Sequence, residues 1–331
     1  MKKILSLTLA ALMLLTTILL SACGGQKTLA EKAAAGETIK IGVIQLMPNP
    51  SLDNCREGIL AALEASDVKY ELDVQTGSPN SYDSDCTAFA QSMVSGGCDM
   101  IIAIATPAAK SAFTAAADTK IPVLFCAVSD PVTAGLVKAW DVPGENCTGT
   151  SDVLDFSLHV GMIKAFQPNV KTVGVIYTTS EENSLTQLKN LRAVCDGMNI
   201  SVEAASVQGA ADIPAAAAAA AAKSDCILNF TDNNVVQSLS AVLAAAETAK
   251  IPVYGSEEEQ VKNGCAASMS IDYVALGKMT GEMAVEIIKG ADAAKLSVRK
   301  LSEALPVINE KALADLGIEI PAAYANAVRV K

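Results

Sequence analysis

The sequence predicts an α/β fold of two doubly wound parallel-sheet lobes joined by a hinge. Three observations carry this. Short β-branched apolar runs alternate with helical stretches along the chain, the pattern of a parallel sheet covered on both faces. The second half repeats the first at a nearly constant offset: Gly174 follows Gly42 by 132 positions, Asp225 follows Asp99 by 126 and Ile251 follows Ile121 by 130. Two strand-like runs, residues 146–151 and 266–271, stand where the chain passes from one half to the other and back. Two or three such crossings make a hinge.

The elements follow in order. The apolar run at residues 39–46 reads as a strand, and residues 51–65 read as a helix with Ile59, Leu60 and Leu63 on one side. Residues 70–74 alternate as a strand, and 81–95 form a helix. Met100 to Ile104 is a continuous apolar strand, followed by a helix over 107–117 and a strand over 121–125. In the second half, residues 171–177, 225–231 and 250–254 echo the first, third and fourth of these strands. Between them, Ala215 to Ala222 are consecutive alanines. Alanine is the best helix former, and Pro214 suits a first turn, so this run is a helix. Each lobe is expected to hold five strands in 2-1-3-4-5-like order. The expected division is 38–150 with 272–305 in the first lobe, and 151–271 with 306–331 in the second.

The N-terminus reads as a secretory leader over residues 1–22: Lys2 and Lys3, an apolar run, then small residues before a cut. The run is about 17 residues long, at the bottom of the membrane-spanning range, and contains Ser6, Thr8, Thr16 and Thr17. Leu20-Ser21-Ala22-Cys23 resembles the bacterial lipobox, which implies cleavage before Cys23 and lipid on that residue. Residues 23–37, mostly small and polar, read as a lipidated tether. The protein is thus expected outside the cell, anchored to the outer face of the bacterial membrane.

Composition narrows the function. The 331 residues carry 36 acidic and 25 basic side chains, for a net charge of −11, with 51% hydrophobic residues. Such a chain folds, and it offers no basic footprint for nucleic acid. The single histidine, His159, weakens any mechanism that needs an imidazole base. There is no Walker loop, no His-Glu-x-x-His and no Cys-x-x-Cys. Of nine cysteines, eight remain after Cys23, at spacings that suit no zinc motif. They are expected to be mostly free, with Cys55, Cys86 and Cys195 on helices and most others in or beside strands. No metal or cofactor is expected.

In open α/β sheets, ligands bind beyond the C-terminal strand ends. Those ends include Asn49, Thr106-Pro107-Ala108 and Ser129-Asp130 in the first half, and Thr231-Asp232-Asn233 and Ser256-Glu257 in the second, with Asp272 after the second crossing. Thr106-Pro107 reads as a helix cap followed by a first-turn proline, whose free amides suit a carboxylate. Asp232 and Asp272 offer negative charge for an ammonium. Each of these residues has capping as its plain alternative role.

Several stretches together resemble one family. They are Ile41 to Asp53, Ile102 to Ala109, Ile121 to Val132, Thr231-Asp-Asn-Asn234, Ile271-Asp-Tyr273 and Leu276-Gly277 with Thr280-Gly281-Glu282-Met283. The chain looks like an ABC-transporter substrate-binding lipoprotein of the ABC-sub-bind family, related to its tryptophan- and tyrosine-binding members. That resemblance implies a type I periplasmic-binding fold. It implies capture of a small amino-acid-type ligand, often aromatic, by a monomer that delivers it to an ABC permease and its ATPase. By position it places the ligand loops at Asn49, Thr106, Ala108, Ser129, Asp130, Asn183, Asp232 and Asp272. Many members have a histidine where this chain has Asn49, which loosens the assignment of the ligand. A sugar or nucleoside receptor is the main alternative. Sugar clefts use several stacking aromatics, whereas this chain has six phenylalanines, six tyrosines and one tryptophan, few of them at strand ends. A surface α/β enzyme is the third reading.

Overall fold

The computed structural model describes residues 27–301 and 303–330. The leader and Cys23 lie outside them. The first described element corrects the tether. Leu29–Ala34 form a helix, α1. Thr28 Oγ1 accepts from the Glu31 amide at 3.2 Å, and Glu31 accepts from the Thr28 amide at 2.8 Å. This is a reciprocal capping box. Leu29 and Ala33, four residues apart, pack on the first core, and Lys32 pairs with Asp99 at 2.6 Å. Composition alone suggested a linker, but the Thr-x-x-Glu cap followed by an i, i+4 apolar pair is enough to dock a short helix.

The first lobe then runs β1 (Ile39–Gln45), α2 (Pro50–Glu64), β2 (Tyr70–Thr76), α3 (Tyr82–Ser95), β3 (Met100–Ile104), α4 (Thr106–Ala116), β4 (Val123–Cys126) and β5 (Cys147–Ser151). The second runs α5 (Phe156–Phe166), β6 (Thr172–Thr178), α6 (Glu182–Gly197), β7 (Ser201–Val207), α7 (Ile213–Ala221), β8 (Cys226–Leu228), α8 (Asn233–Gln237), α9 (Leu239–Ala249), β9 (Val253–Tyr254), α10 (Glu258–Lys262) and β10 (Ala267–Ser270). The chain returns through α11 (Tyr273–Ile288) and β11 (Arg299–Lys300). It ends in β12 (Leu305–Asn309), α12 (Glu310–Asp315) and β13 (Val328–Val330).

The first sheet has the order β11-β5-β4-β3-β1-β2, with parallel pairings throughout. It is the expected 2-1-3-4-5 order plus a two-residue edge strand. The second sheet is β7-β6-β8-β9, also parallel. Its fifth strand departs from the expectation. β10 touches β9 through Gly255 N–H to Ala267 O (2.8 Å) and Ala266 N–H to Val253 O (2.7 Å). Its own ladder is antiparallel with β12, which pairs with β13 in a separate three-stranded sheet. The C-terminal strands thus claim the free edge of β10.

The internal repeat has a physical basis. Asp99 and Asp225 precede equivalent strands. Asp99 accepts from the Lys40 amide at 3.1 Å, and Asp225 accepts from the Lys171 and Thr172 amides at 2.7 and 2.8 Å. Each aspartate ties its strand to the start of the lobe's first strand, which is why Asp-apolar-apolar recurs in both halves. The Gly277 and Gly281 motif is structural as well. A Cβ at Gly277 would lie 2.0 Å from Cys55 O, and one at Gly58 would lie 2.1 Å from Val274 O. Glycine at these positions lets α2 and α11 pack backbone against backbone.

All eight described cysteines are free, and seven of them are buried. His159 is buried on α5, with Nδ1 2.9 Å from Asp155 O. Burial pushes its pKa down, so it sits in the core as a neutral ring. No described helix is long and apolar enough to cross a membrane.

Candidate ligand site between the lobes

The C-terminal strand ends of the two lobes face each other across a narrow cavity. Direct bonds join the lobes around it. Lys110 pairs with Glu182 at 2.6 Å. Asn234 Nδ2 donates to Tyr82 OH at 3.0 Å, and Gln187 Nε2 donates to Ser129 Oγ at 3.1 Å. The lobes are closed on one another.

The first lobe supplies Asn49, Ser51 and Leu52 at the start of α2, Ala105 and Thr106 after β3, Ala127 and Ser129 after β4, and Asp152 and Tyr273 at two of the crossings. Asn49 caps α2, its Oδ1 accepting from the Ser51 amide at 2.9 Å. The α4 entrance corrects the sequence reading by one residue. Ala105, not Thr106, is the cap, so Thr106 and Pro107 take the first two helical positions. Alanine cannot cap, and proline has no N–H. The first-turn amides of Thr106 and Ala108 therefore have no capping side chain. Ala105 lies at φ 80°, ψ 156°, a region that is essentially glycine-only. Ala127, at the next strand end, has φ 56°. Two strained alanines thus flank an uncapped helix start. That end carries partial positive charge and suits an anion.

The second lobe supplies Asn183, Thr231, Asn233, Val236 and Glu257. Asn183 Nδ2 donates to Glu181 at 3.0 Å and to Thr231 O at 3.2 Å, while its Oδ1 is buried with no partner. Ser51 Oγ is likewise buried and unpartnered. Behind the lining, Glu181 accepts from the Asn233 amide and side chain at 3.0 and 2.7 Å and from Asn234 Nδ2 at 3.2 Å. Burial, then the charge of Asp232, pushes Glu181 up to about 8.

Two carboxylates face the cavity. Asp152 accepts from Ser129 Oγ at 3.1 Å and from Tyr273 OH at 3.2 Å. Burial raises its pKa against those two bonds. Burial also pushes Glu257 up to about 7. Among the lining residues there is no lysine, arginine or histidine. A buried carboxylate is costly without a counter-charge or a proton. The cavity is therefore built to receive a cationic group on this side and an anionic group at the α4 end.

Of the residues expected from the sequence, Asn49, Thr106, Ser129 and Asn183 come together on the lining. The other four do not. Ala108 is fully buried just inside α4. Asp130 closes its own turn, accepting from the Val132 and Thr133 amides at 3.1 and 3.0 Å. Asp232 caps α8 through the Val235 amide at 3.0 Å. It also accepts from Thr178 N, Thr178 Oγ1 and Ser184 Oγ at 2.6, 2.9 and 2.7 Å. Asp272 is an exposed cap, accepting from the Ala275 amide at 2.9 Å. The plain capping role thus describes both carboxylates expected to meet an ammonium. The lining carboxylates, Asp152 and Glu257, stand at strand ends as well. Glu257 lies within a strand end already singled out, whereas Asp152 is exposed as a lining residue only by the path of the first crossing.

The sequence model of a family described as ABC transporter substrate binding protein matches residues 40–330. A tyrosine-binding protein of Clostridioides difficile (strain R20291) is 35% identical over 325 residues, 96% of this chain and 93% of that protein. The structure of a protein from Streptococcus pneumonia in complex with L-Trp is 35% identical and superposes with a TM-score of 0.84, over 89% of this chain and 100% of that one. A ligand-free, open substrate-binding protein with adhesive properties from Clostridium difficile is also 35% identical. It gives a TM-score of 0.68, over 89% of this chain and 99% of that one. At equal identity the ligand-bound structure fits better than the open one, as the bonds between the lobes require.

Proposed function

This chain belongs to the family of ABC transporter substrate-binding proteins, and from that premise we propose that it captures an amino acid, aromatic by preference, between its lobes. Substrate-binding proteins of ABC importers work outside the cytoplasm and hand a small molecule to the transporter. The observation that carries the ligand class is the polarity of the cavity. One wall holds Asp152 and Glu257 with no basic residue on the lining, and another is the uncapped start of α4. An α-ammonium and an α-carboxylate on one carbon match those two walls. Leu52, Val236 and Tyr273 supply apolar surface for a side chain. The names of the tyrosine- and tryptophan-binding relatives point to the same class.

In this reading Asn49, Thr106, Ser129 and Asn183 touch the ligand. Ala108 contributes its amide, and Asp130, Asp232 and Asp272 shape the loops. The rigid bodies of closure are residues 38–150 with 272–305, and 151–271 with 306–331. The mature protein is a monomer held to the outer face of the membrane by lipid on Cys23, and it delivers to a permease with its ATPase. A sugar or nucleoside ligand is less well served, because Tyr273 is the one aromatic among the lining residues. Catalysis by the single histidine is disfavoured, because His159 is buried on α5 and does not line the cavity.

Calorimetry over a panel of amino acids, nucleosides and sugars tests the reading. Binding of at least one of tyrosine, tryptophan and phenylalanine is expected. Binding of none of the aromatic or branched amino acids would overturn it.

A further inference from the structure

Glu257 occupies a position that no other carboxylate of the cavity shares. It lines the cavity between the lobes and also an outer groove between α8, α9 and α10. Val236 is the other residue common to both. The groove is rimmed by Pro50, Leu239, Leu243 and Asn263 and leads to solvent. Glu257, itself buried, therefore stands between the cavity and the groove while the lobes are closed.

Its bonding differs from that of Asp152. Asp152 accepts two hydroxyl hydrogen bonds, one on each oxygen, which favour its ionised form. Glu257 accepts from Gln260 Nε2 at 3.3 Å, and the Ser51 hydroxyl across the lobes works with that bond against the effect of burial. The titratable groups around it are Asp152 after β5, Glu259 on α10, Cys55 on α2, Tyr273 on α11 and Cys265 before β10. None is basic. Lys262, on α10, is taken by Glu258 and Glu259 at 2.9 Å each. Two buried carboxylates lining one cavity that holds no basic side chain do not both stay ionised while it is empty.

We propose that the ligand's ammonium enters in exchange for a proton: Glu257 is protonated in the empty site, and it releases that proton through the outer groove as the ammonium takes its place. This rests on the amino-acid reading above and specifies its regulation. The exchange balances. The O–H bond of the Glu257 carboxyl breaks, the proton passes to water, and the carboxylate left behind pairs with the incoming R–NH₃⁺. The net charge of the acidic wall is the same before and after. Burial places the titration of Glu257 at about 7, so the exchange operates near neutral pH. Affinity is then lower in acidic surroundings and rises as the medium becomes neutral.

Calorimetry of the mature chain with whichever of L-tyrosine, L-tryptophan and L-phenylalanine binds, in buffers of different ionisation enthalpy, reads the proton directly. At about pH 6, close to one proton released per ligand is expected. Affinity should rise about tenfold per pH unit below the titration of Glu257 and level off above it. Glu257→Gln keeps the shape and removes the proton. It should bind more weakly at about pH 8, release no proton and show a flat profile. A wild-type affinity that is flat from about pH 5.5 to 8.5, with no buffer-dependent heat, would overturn the exchange while leaving the amino-acid reading intact. A Glu257→Gln profile as steep as wild type would overturn the assignment to this residue. Absence of binding by all three amino acids would remove the reading and the exchange together.

Discussion

The entrance to α4 and the entrance to α8 occupy the same place in the two lobes, and they are finished in opposite ways. Each follows the strand that packs beside the lobe's first strand. In the first lobe Ala105 leaves α4 without a capping side chain and holds φ at 80°. In the second lobe Asp232 caps α8 and gathers three more donors besides. One end is strained and its first-turn amides uncapped, and the other is relaxed and saturated. The difference shows how a duplicated scaffold makes an asymmetric site. Polar capacity left unused at a strand end is available to a ligand, and capacity spent on the fold is not. It also explains why Asp232, conspicuous in the sequence, has its bonding capacity spent within the fold, and why the proposed exchange falls on Glu257 instead.

Substitutions at the two entrances sharpen this contrast. Asp232→Ala strands the amides of Thr178 and Val235 and the hydroxyls of Thr178 and Ser184. The loss of a buried, hydrogen-bonded carboxylate should cost about 3 kcal/mol or more in denaturant unfolding. If stability is unchanged and ligand affinity alone falls, Asp232 belongs to the ligand and the contrast breaks. Ala105→Gly acts in the other direction. Glycine accepts the backbone angles that strain alanine, so stability should rise by about 1–2 kcal/mol. Affinity should weaken by about threefold, because the amides are less firmly held. A stability loss at this position would mean the entrance is not strained. The smallest effect is expected at Lys110→Ala, which removes a half-exposed ion pair between the lobes. Such pairs contribute about 0.5 kcal/mol, so a roughly twofold loss of affinity by calorimetry is expected, mainly at low salt.

Much of the molecule was legible in the sequence. The strand at Met100–Ile104 was read at its true bounds, because five consecutive apolar residues between turns leave no other element. The alanine run, the internal repeat and the 2-1-3-4-5 order of the first sheet followed from propensity, periodicity and the rules of open α/β sheets. The α1 helix was missed because a capping box of two residues is a small signal inside a polar stretch. The six-stranded first sheet and the split of β10 from the second were missed for a different reason. Both depend on where the distant C-terminal strands come to rest, and strand pairing across such separations leaves no local pattern.

The site divides along the same line. Asn49, Thr106 and Ser129, which line the cavity, were singled out because strand ends in an open α/β sheet point to one place, whereas Asn183 came only through the family resemblance. The sequence by itself determined the two-lobed architecture, the strand ends and the types of residue available there. Only the tertiary structure decided which of those polar groups remained unspent. A carboxylate's availability depends on how many donors reach it, and the donors to Asp232 come from Thr178 and Ser184, about fifty residues away in the chain. Burial and hydrogen-bond saturation are properties of the packed chain, so they separate the cap Asp232 from the lining residue Glu257, which the sequence shows only as two acidic strand ends.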